Sequence, residues 1–496
     1  MGGDVDVALL AGTAVLLAAV AGVRLSSRLG VPSLLIYLGL GIILGEDVIG
    51  LSFDDTRLAR DLGLIALALI LAEGGLTTRW VDIRPAMPAA AALATVGVAA
   101  SIGITSVAAH LVLDASWRTS VIAGAVLSST DAAAVFATLR LLRLPRRLVG
   151  ALEAESGLND APAVIVVTLL ASSHPHGLGR ATATLVYELG VGAAIGLAVG
   201  WGAAYGLRRA ALPATGLYPI ATLTCALASY AAAAAAGASG FLAIYLTSLW
   251  LGNARLPHRR STLGFADGVA WLAQIGLFVM LGLLVTPDRL GGAILPALGI
   301  GAALLLVARP VSVFLSTAPL GYSWREQALL SAAGLRGAVP IVLATIPLTT
   351  HVAGARRVFD VVFVLVALFT AIQAPLIAPI ARRLHLDAGR EGRDLDVDAA
   401  PLDRIEADLL TVRIPTGSRL HRVEVWELDL PAEAALVFVI RDGHGLVPVP
   451  NTALRENDDL MLVVPRPARD QVEQRLRAVS RSGRLARFYG DRGDRD

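Results

Sequence analysis

Five ionisable residues fall within long apolar runs: Glu73, Asp131, Glu155, Asp160 and Arg336. A charge inside a bilayer is costly, so each is a candidate for function. Asp160 is the first choice for an ion-carrying group. Desolvation disfavours the charged form of a buried carboxylate. Such a group can hold a proton or ligate a bare monovalent cation, but not both. That competition suffices for exchange if the empty anion is the costly state to move. Glu155 lies five residues earlier, roughly 140° around a helix, and is assigned a different job. Thr130 precedes Asp131 in Ser128-Ser129-Thr130-Asp131. A helix break there would free its backbone carbonyl, and alkali cations prefer oxygen ligands. Two roles are open to Asp131: coordinating the ion, or neutralising half-helix dipoles at the break. Arginine does not lose its proton in proteins, which excludes Arg336 as a proton carrier. It is expected to form a buried salt bridge, with Glu155 as partner, and to cap exposed carbonyls. Glu153 is expected only at an entrance. Glu73, beside Gly74-Gly75, has three readings: a funnel residue, a ligand, or a helix-end charge.

These residues need helices to carry them. The 496 residues are 55% hydrophobic and only 17% charged, with a mean hydropathy of +0.67. A soluble domain has about a quarter of its residues charged. The composition excludes a disordered chain, a nucleic-acid-binding domain and an ordinary soluble enzyme, and predicts an all-α polytopic membrane protein. All 42 basic residues are arginine. Cys225 is the single cysteine, so no intramolecular disulfide forms. The first apolar run follows Asp4 and Asp6 and reads as a retained helix. The eight histidines show no metal-ligand spacing, and no metal is expected beyond a transported monovalent cation. No phosphate loop or nucleophile triad stands out, so no enzyme and no cofactor is expected.

The apolar periodicity predicts thirteen helices, near 7–23, 32–49, 61–77, 86–113, 119–139, 149–172, 181–206, 217–236, 239–252, 267–286, 291–314, 326–347 and 358–381. The second and ninth are short for a span. With the N-terminus outside, the inner loops carry sixteen arginines and the outer loops seven. The positive-inside rule then puts the N-terminus out and the C-terminus in, with Arg356 and Arg357 on the wrong side. Helices one to six and eight to thirteen could be inverted copies. Two paired features fit: the short second and ninth helices, and the interrupted fifth and twelfth. The twelfth carries Gly334-Leu335-Arg336-Gly337 and then Pro340. Paired interruptions point to a mid-membrane ion site.

The membrane domain is predicted over 1–384, followed by an acidic linker over 385–403. Short alternating runs at Leu409–Ile414, Ala435–Arg441, Leu446–Val449 and Leu460–Val464, with a helix at 467–480, predict a small α+β cytosolic domain over 404–480. Residues 481–496 read as a flexible tail.

The motifs are specific enough to identify a resemblance. Glu155-Ser156-Gly157-Leu158-Asn159-Asp160 resembles the ESGLND signature of NhaP-type monovalent cation:proton antiporters. Ser129-Thr130-Asp131 is similar to that family's interrupted fifth helix, and Gly334-Leu335-Arg336-Gly337-Ala338 to its GLRGA segment. Ala72-Glu73-Gly74-Gly75-Leu76 matches a further position. The resemblance covers 7–384. It implies thirteen helices with inverted repeats, a homodimer, and an ion site from Asp160, Asp131, Thr130, Ser156 and Glu73. It implies a structural cluster of Asn159, Glu155 and Arg336. Asn159 stands where electrogenic relatives carry a second aspartate, which implies electroneutral one-for-one exchange. Ala132 replaces a frequent proline, so the break must rest on polar side chains. Ala407–Pro465 looks like the TrkA-C (RCK-C) domain of potassium transport proteins, through Val412–Gly417, Phe438–Pro448 and Glu456-Asn457-Asp458-Asp459-Leu460. That implies potassium/proton exchange in a bacterial inner membrane, with dimeric regulation by a nucleotide such as cyclic di-AMP, or a tail that only dimerises. Sodium/proton exchange is the nearest rival. A ligand-gated potassium channel would be expected to carry a TVGYG-like filter, which the sequence lacks.

Overall fold

The computed structural model describes residues 2–29, 32–45, 50, 53, 55–130, 144–172, 177–386, 396–402, 407–483 and 486. The chain divides into two compact units, Met1–Asp387 and Ala388–Asp496.

The first unit is helical. In chain order it contains α1 Gly2–Leu29, α2 Ser33–Leu44, α3 Thr56–Thr77, α4 Trp80–Leu113, α5 Trp117–Val126, α6 Arg146–Ala171, α7 Leu178–Arg209, α8 Leu217–Ala235, α9 Gly240–Asn253, α10 Arg259–Leu283 and α11 Pro287–Leu320. The expected twelfth helix is split into α12 Trp324–Ala332 and α13 Ala338–Thr349, and α14 covers Ala355–Arg383. Six helices among the described residues are long and apolar enough to cross a membrane, or seven if the bent α14 is one span. The short α2 and α9, at 12 and 14 residues, fall below the roughly 20 residues a perpendicular span needs.

The helices pack in two groups. One joins α1–α3 with α7–α10; the other joins α4–α6 with α11–α14. The groups meet where α3 touches α13 and α9 touches α6. Small residues set the closest approaches. A Cβ on Gly41 of α2 would lie 2.8 Å from the Gly282 Cα of α10, and the reverse holds. In a lipid-surrounded bundle, such backbone contact is a main source of attraction. Both α4 and α11 contain a π turn, at Leu93–Gly97 and Leu304–Ala308, and the helices pack together there.

Arg356 and Arg357 have a local role that loop counting misses. Arg357 donates to the Leu113 carbonyl at the end of α4, 2.9 Å away. Arg356 donates to the Leu284 carbonyl just past α10, at 3.4 Å. Arg118 likewise reaches the Leu170 and Ser172 carbonyls at the end of α6. Cations are favourable at helix C-termini, where carbonyls lack partners.

The second unit is an antiparallel sheet of β1 Asp396–Leu402, β2 Ala407–Arg413, β3 Ala435–Arg441, β4 His444–Leu446 and β5 Asp459–Pro465, in the order β1-β2-β5-β3-β4. Helix α15, Arg469–Ser482, buries Val472, Leu476 and Val479 in one core with Leu410, Val412, Leu460, Leu462 and Val464. Two expectations are corrected. Residues 396–402, read as linker, form an edge strand paired with β2 from Asp396↔Arg413 to Leu402↔Ala407. An edge position tolerates Pro401. The strand expected at Leu446–Val449 is instead His444–Leu446. Asp442 and Gly443 both have positive φ, 49° and 79°, so a two-residue turn restarts the chain as a strand at His444. Pro448 then has no N–H to donate. The expected tail at 481–496 lies largely outside the described residues.

Candidate functional site

The site begins where α5 stops. Its last helical residue is Val126. Ser128 then donates both its N–H and its hydroxyl to the Ala125 carbonyl. A serine thus caps the end of the helix. Ser129 and Thr130 follow in non-helical conformation, both buried. Asp131 and Ala132 lie outside the described residues.

Helix α6 lies against this break. The Ser156 hydroxyl donates to the Thr130 carbonyl at 2.8 Å. The Asn159 amide donates to the Thr130 hydroxyl at 2.5 Å. Asp160 follows on the same turn and is only 4% exposed. Thr130, Ser156 and Asn159 are therefore brought together, with Asp160 adjacent on the chain. Glu73 stands on the last turn of α3, partly buried. The hydrogen bonds that join Thr130, Ser156 and Asn159 are made without it. The cluster offers two hydroxyls and a main-chain carbonyl, hard oxygens of the kind alkali cations prefer, and buried Asp160 stands next to Asn159 on α6.

The expected Glu155–Arg336 salt bridge is corrected. Arg309 takes both Glu155 oxygens, at 2.5 and 2.8 Å. It also reaches the Leu330 carbonyl on α12, at 3.3 Å. The bidentate fork suits a planar guanidinium. Arg309 is presented immediately after the π turn of α11. A Cβ on Gly334 would lie 2.9 Å from the Arg309 Cζ, so the first glycine of the Gly334–Ala338 segment leaves room for that guanidinium. Arg336 is 1% exposed. It is within electrostatic reach of Arg309, Glu155 and Asp160, and donates to the Gly334 carbonyl at 3.3 Å. Sequence reasoning missed Arg309, although the cost of an arginine inside the apolar run 291–314 is the signal that singled out Arg336.

The break in the twelfth helix is visible directly. Residues 333–337 are non-helical between α12 and α13. From α14, the Thr370 hydroxyl donates to the Arg336 carbonyl at 3.3 Å. The Gln373 amide donates to the Ala332 carbonyl at 2.6 Å. Neither residue was singled out from the sequence.

Residues 15–383 match the family described as "Sodium/hydrogen exchanger, transmembrane". The chain belongs to this family. It is an integral membrane cation:proton antiporter and not an enzyme. The antiporter is 36% identical over 480 residues to "K(+)/H(+) antiporter NhaP" of Alkalimonas amylolytica, covering 94% of this chain and 83% of that one. It is 35% identical to "K(+)/H(+) antiporter NhaP2" of Shewanella sp. (strain MR-4), covering 98% and 85%. "Na(+)/H(+) antiporter ApNhaP" of Aphanothece halophytica is 28% identical, covering 73% and 74%. The fold is similar to the sodium proton antiporter MjNhaP1 of Methanocaldococcus jannaschii, with a TM-score of 0.64 at 22% identity, covering 76% of this chain and 99% of that one.

Proposed function

We propose that the antiporter exchanges potassium for protons, one for one, through competition at Asp160. The observation that carries this reading is the pairing of Asn159 with Thr130 beside buried Asp160. An amide at 159 leaves one proton-exchanging carboxylate at that pair of positions. Asp160, Thr130, Ser156, Asp131 and Glu73 form the ion pathway in this reading. A cation displaces the Asp160 proton, accepts the oxygen ligands, and is released when a proton returns. The bare anion is the state too costly to carry across, which couples the two fluxes. Access alternates as the group holding α4–α6 and α11–α14 moves against the group holding α1–α3 and α7–α10.

Potassium is favoured over sodium by coverage. The two relatives named for potassium align over 94% and 98% of this chain, which includes the C-terminal unit. The relative named for sodium aligns over 73%. The antiporter is further assigned to a bacterial inner membrane as a homodimer, N-terminus outside and C-terminal unit in the cytoplasm. That unit regulates exchange by binding a nucleotide such as cyclic di-AMP.

The test is dequenching of a pH-sensitive dye in everted vesicles on adding potassium, sodium or lithium, with Asp160→Asn as control. A potassium response absent from the control is expected. A response to sodium or lithium alone would remove the potassium assignment. Exchange surviving in the folded Asp160→Asn variant would remove the competition mechanism.

A further inference from the structure

Each helix break is held by a hydroxyl and an amide three residues apart on one neighbouring helix; the hydroxyl takes a main-chain carbonyl in both, and the amides take different acceptors. At the first, a hydroxyl on α6 (Ser156) donates to the Thr130 carbonyl, and the amide three residues later (Asn159) donates to Thr130 Oγ1. At the second, a hydroxyl on α14 (Thr370) donates to the Arg336 carbonyl, and the amide three residues later (Gln373) donates to the Ala332 carbonyl. The positions correspond. Thr130 and Arg336 have the same sequence separation as the last helical residues, Val126 and Ala332. Ser156 and Thr370 share their separation with Asn159 and Gln373. Both amides also leave their oxygen without a partner among the described residues.

The residue that follows each amide also differs. Asn159 is followed by Asp160, and Gln373 by Ala374. The second device therefore has no carboxylate beside it and no charge to exchange. We infer that Thr370 and Gln373 are positioning residues, which tie the broken α12–α13 pair to α14 so that the second break moves as one body with the ion-carrying group. A helix end buried without donors leaves orphan carbonyls, which is costly away from water. Thr370 and Gln373 supply those donors from a single helix. The hold is transmitted to the ion site through contacts already described. Gly334, between the two clamped carbonyls, packs against Arg309; Arg309 holds Glu155; Glu155 precedes Asp160 by five residues on α6.

The inference rests on cation:proton exchange but not on which cation is carried. The test uses the full chain in proteoliposomes, at matched amounts of folded protein and with whichever cation the wild type exchanges. Thr370→Val and Gln373→Met should each lower the maximal exchange rate by about tenfold, as expected for one buried carbonyl left unpaired. The half-saturating cation concentration should stay within about twofold, because the ion ligands are untouched. Thr370→Ser, which keeps the hydroxyl, should restore the rate. Wild-type rates in both Thr370→Val and Gln373→Met would overturn the inference. So would a shifted half-saturation at unchanged rate, or a Thr370→Ser variant as slow as Thr370→Val. If Thr370→Val does not fold, Gln373→Met is read alone by the same criteria. An exchange response of wild type to sodium only would defeat the potassium assignment and leave this test intact.

Discussion

The break after α5 and the break between α12 and α13 solve one problem with different consequences. Each leaves main-chain carbonyls without helical partners in a region poor in water. Each is met by a hydroxyl and an amide three residues apart on a neighbouring helix; the hydroxyl takes a main-chain carbonyl in both, while the amide takes the Thr130 hydroxyl at the first and the Ala332 carbonyl at the second. Beside the first break the chain carries Asp160; beside the second it carries Ala374, while Arg336 lies within the break itself. A similar arrangement thus lies beside a buried carboxylate at the first break and around a buried guanidinium at the second. Hydrogen bonding ties both breaks to a neighbouring helix, and the residue that follows each amide differs in charge.

That comparison can be broken or sharpened in order of expected effect. The largest is Asp160→Asn, which should abolish exchange while size-exclusion chromatography still shows folded protein. Next is the fixed-charge side. Arg309→Met leaves Glu155 buried and stripped of its bidentate partner, which should cost about 3–5 kcal/mol. Thermal unfolding in detergent should therefore drop further for Arg309→Met than for Arg336→Met. The reverse order would mean that Arg336 holds Glu155. A smaller effect is expected from Gly334→Ala, whose added methyl meets the Arg309 guanidinium; overpacking of this kind costs about 1–3 kcal/mol. An unchanged unfolding temperature would show that the guanidinium shifts freely. Ser156→Ala should raise the half-saturating cation concentration several-fold, where Thr370→Val should lower the rate instead. If both shift the same parameter, the two clamps are not functionally distinct.

The smallest effect on exchange should come from the C-terminal unit. Asp458 is buried and accepts from Arg441 at 2.8 and 2.7 Å and from the Arg455 N–H at 2.8 Å. Its hydrogen bonds hold the Arg441 guanidinium above its ordinary value. Asp458→Asn should lower the thermal stability of this unit by about 1.5–3 kcal/mol, the worth of charge-assisted bonds. Basal exchange by the membrane unit should be unchanged. A loss of exchange would show that the C-terminal unit is required for activity.

Much of this was legible in the residues. The broken twelfth helix follows from Gly334, Gly337 and Pro340, because glycine and proline disfavour helix interiors. The hairpin turn at Asp442-Gly443 follows because both positions tolerate positive φ. Asp160 stands out because a carboxylate in an apolar run is expensive. The partner of Glu155 was not legible. Arg309 and Arg336 are both arginines in apolar runs, and the π turn that presents Arg309 to Glu155 leaves no residue signature in Leu304–Ala308. Nor were Thr370 and Gln373, since polar residues in a membrane helix commonly bond within their own helix.

The sequence by itself determined which residues are costly to bury, where helices must stop, and which short runs can form a sheet. These are local properties of side-chain solvation and backbone freedom. Tertiary structure alone decided which arginine neutralises Glu155, which hydroxyls close the breaks, and that residues 396–402 join the sheet as an edge. Those outcomes depend on distances between segments far apart in the chain. Charge complementarity restricts such pairings to a few, and packing geometry selects among them.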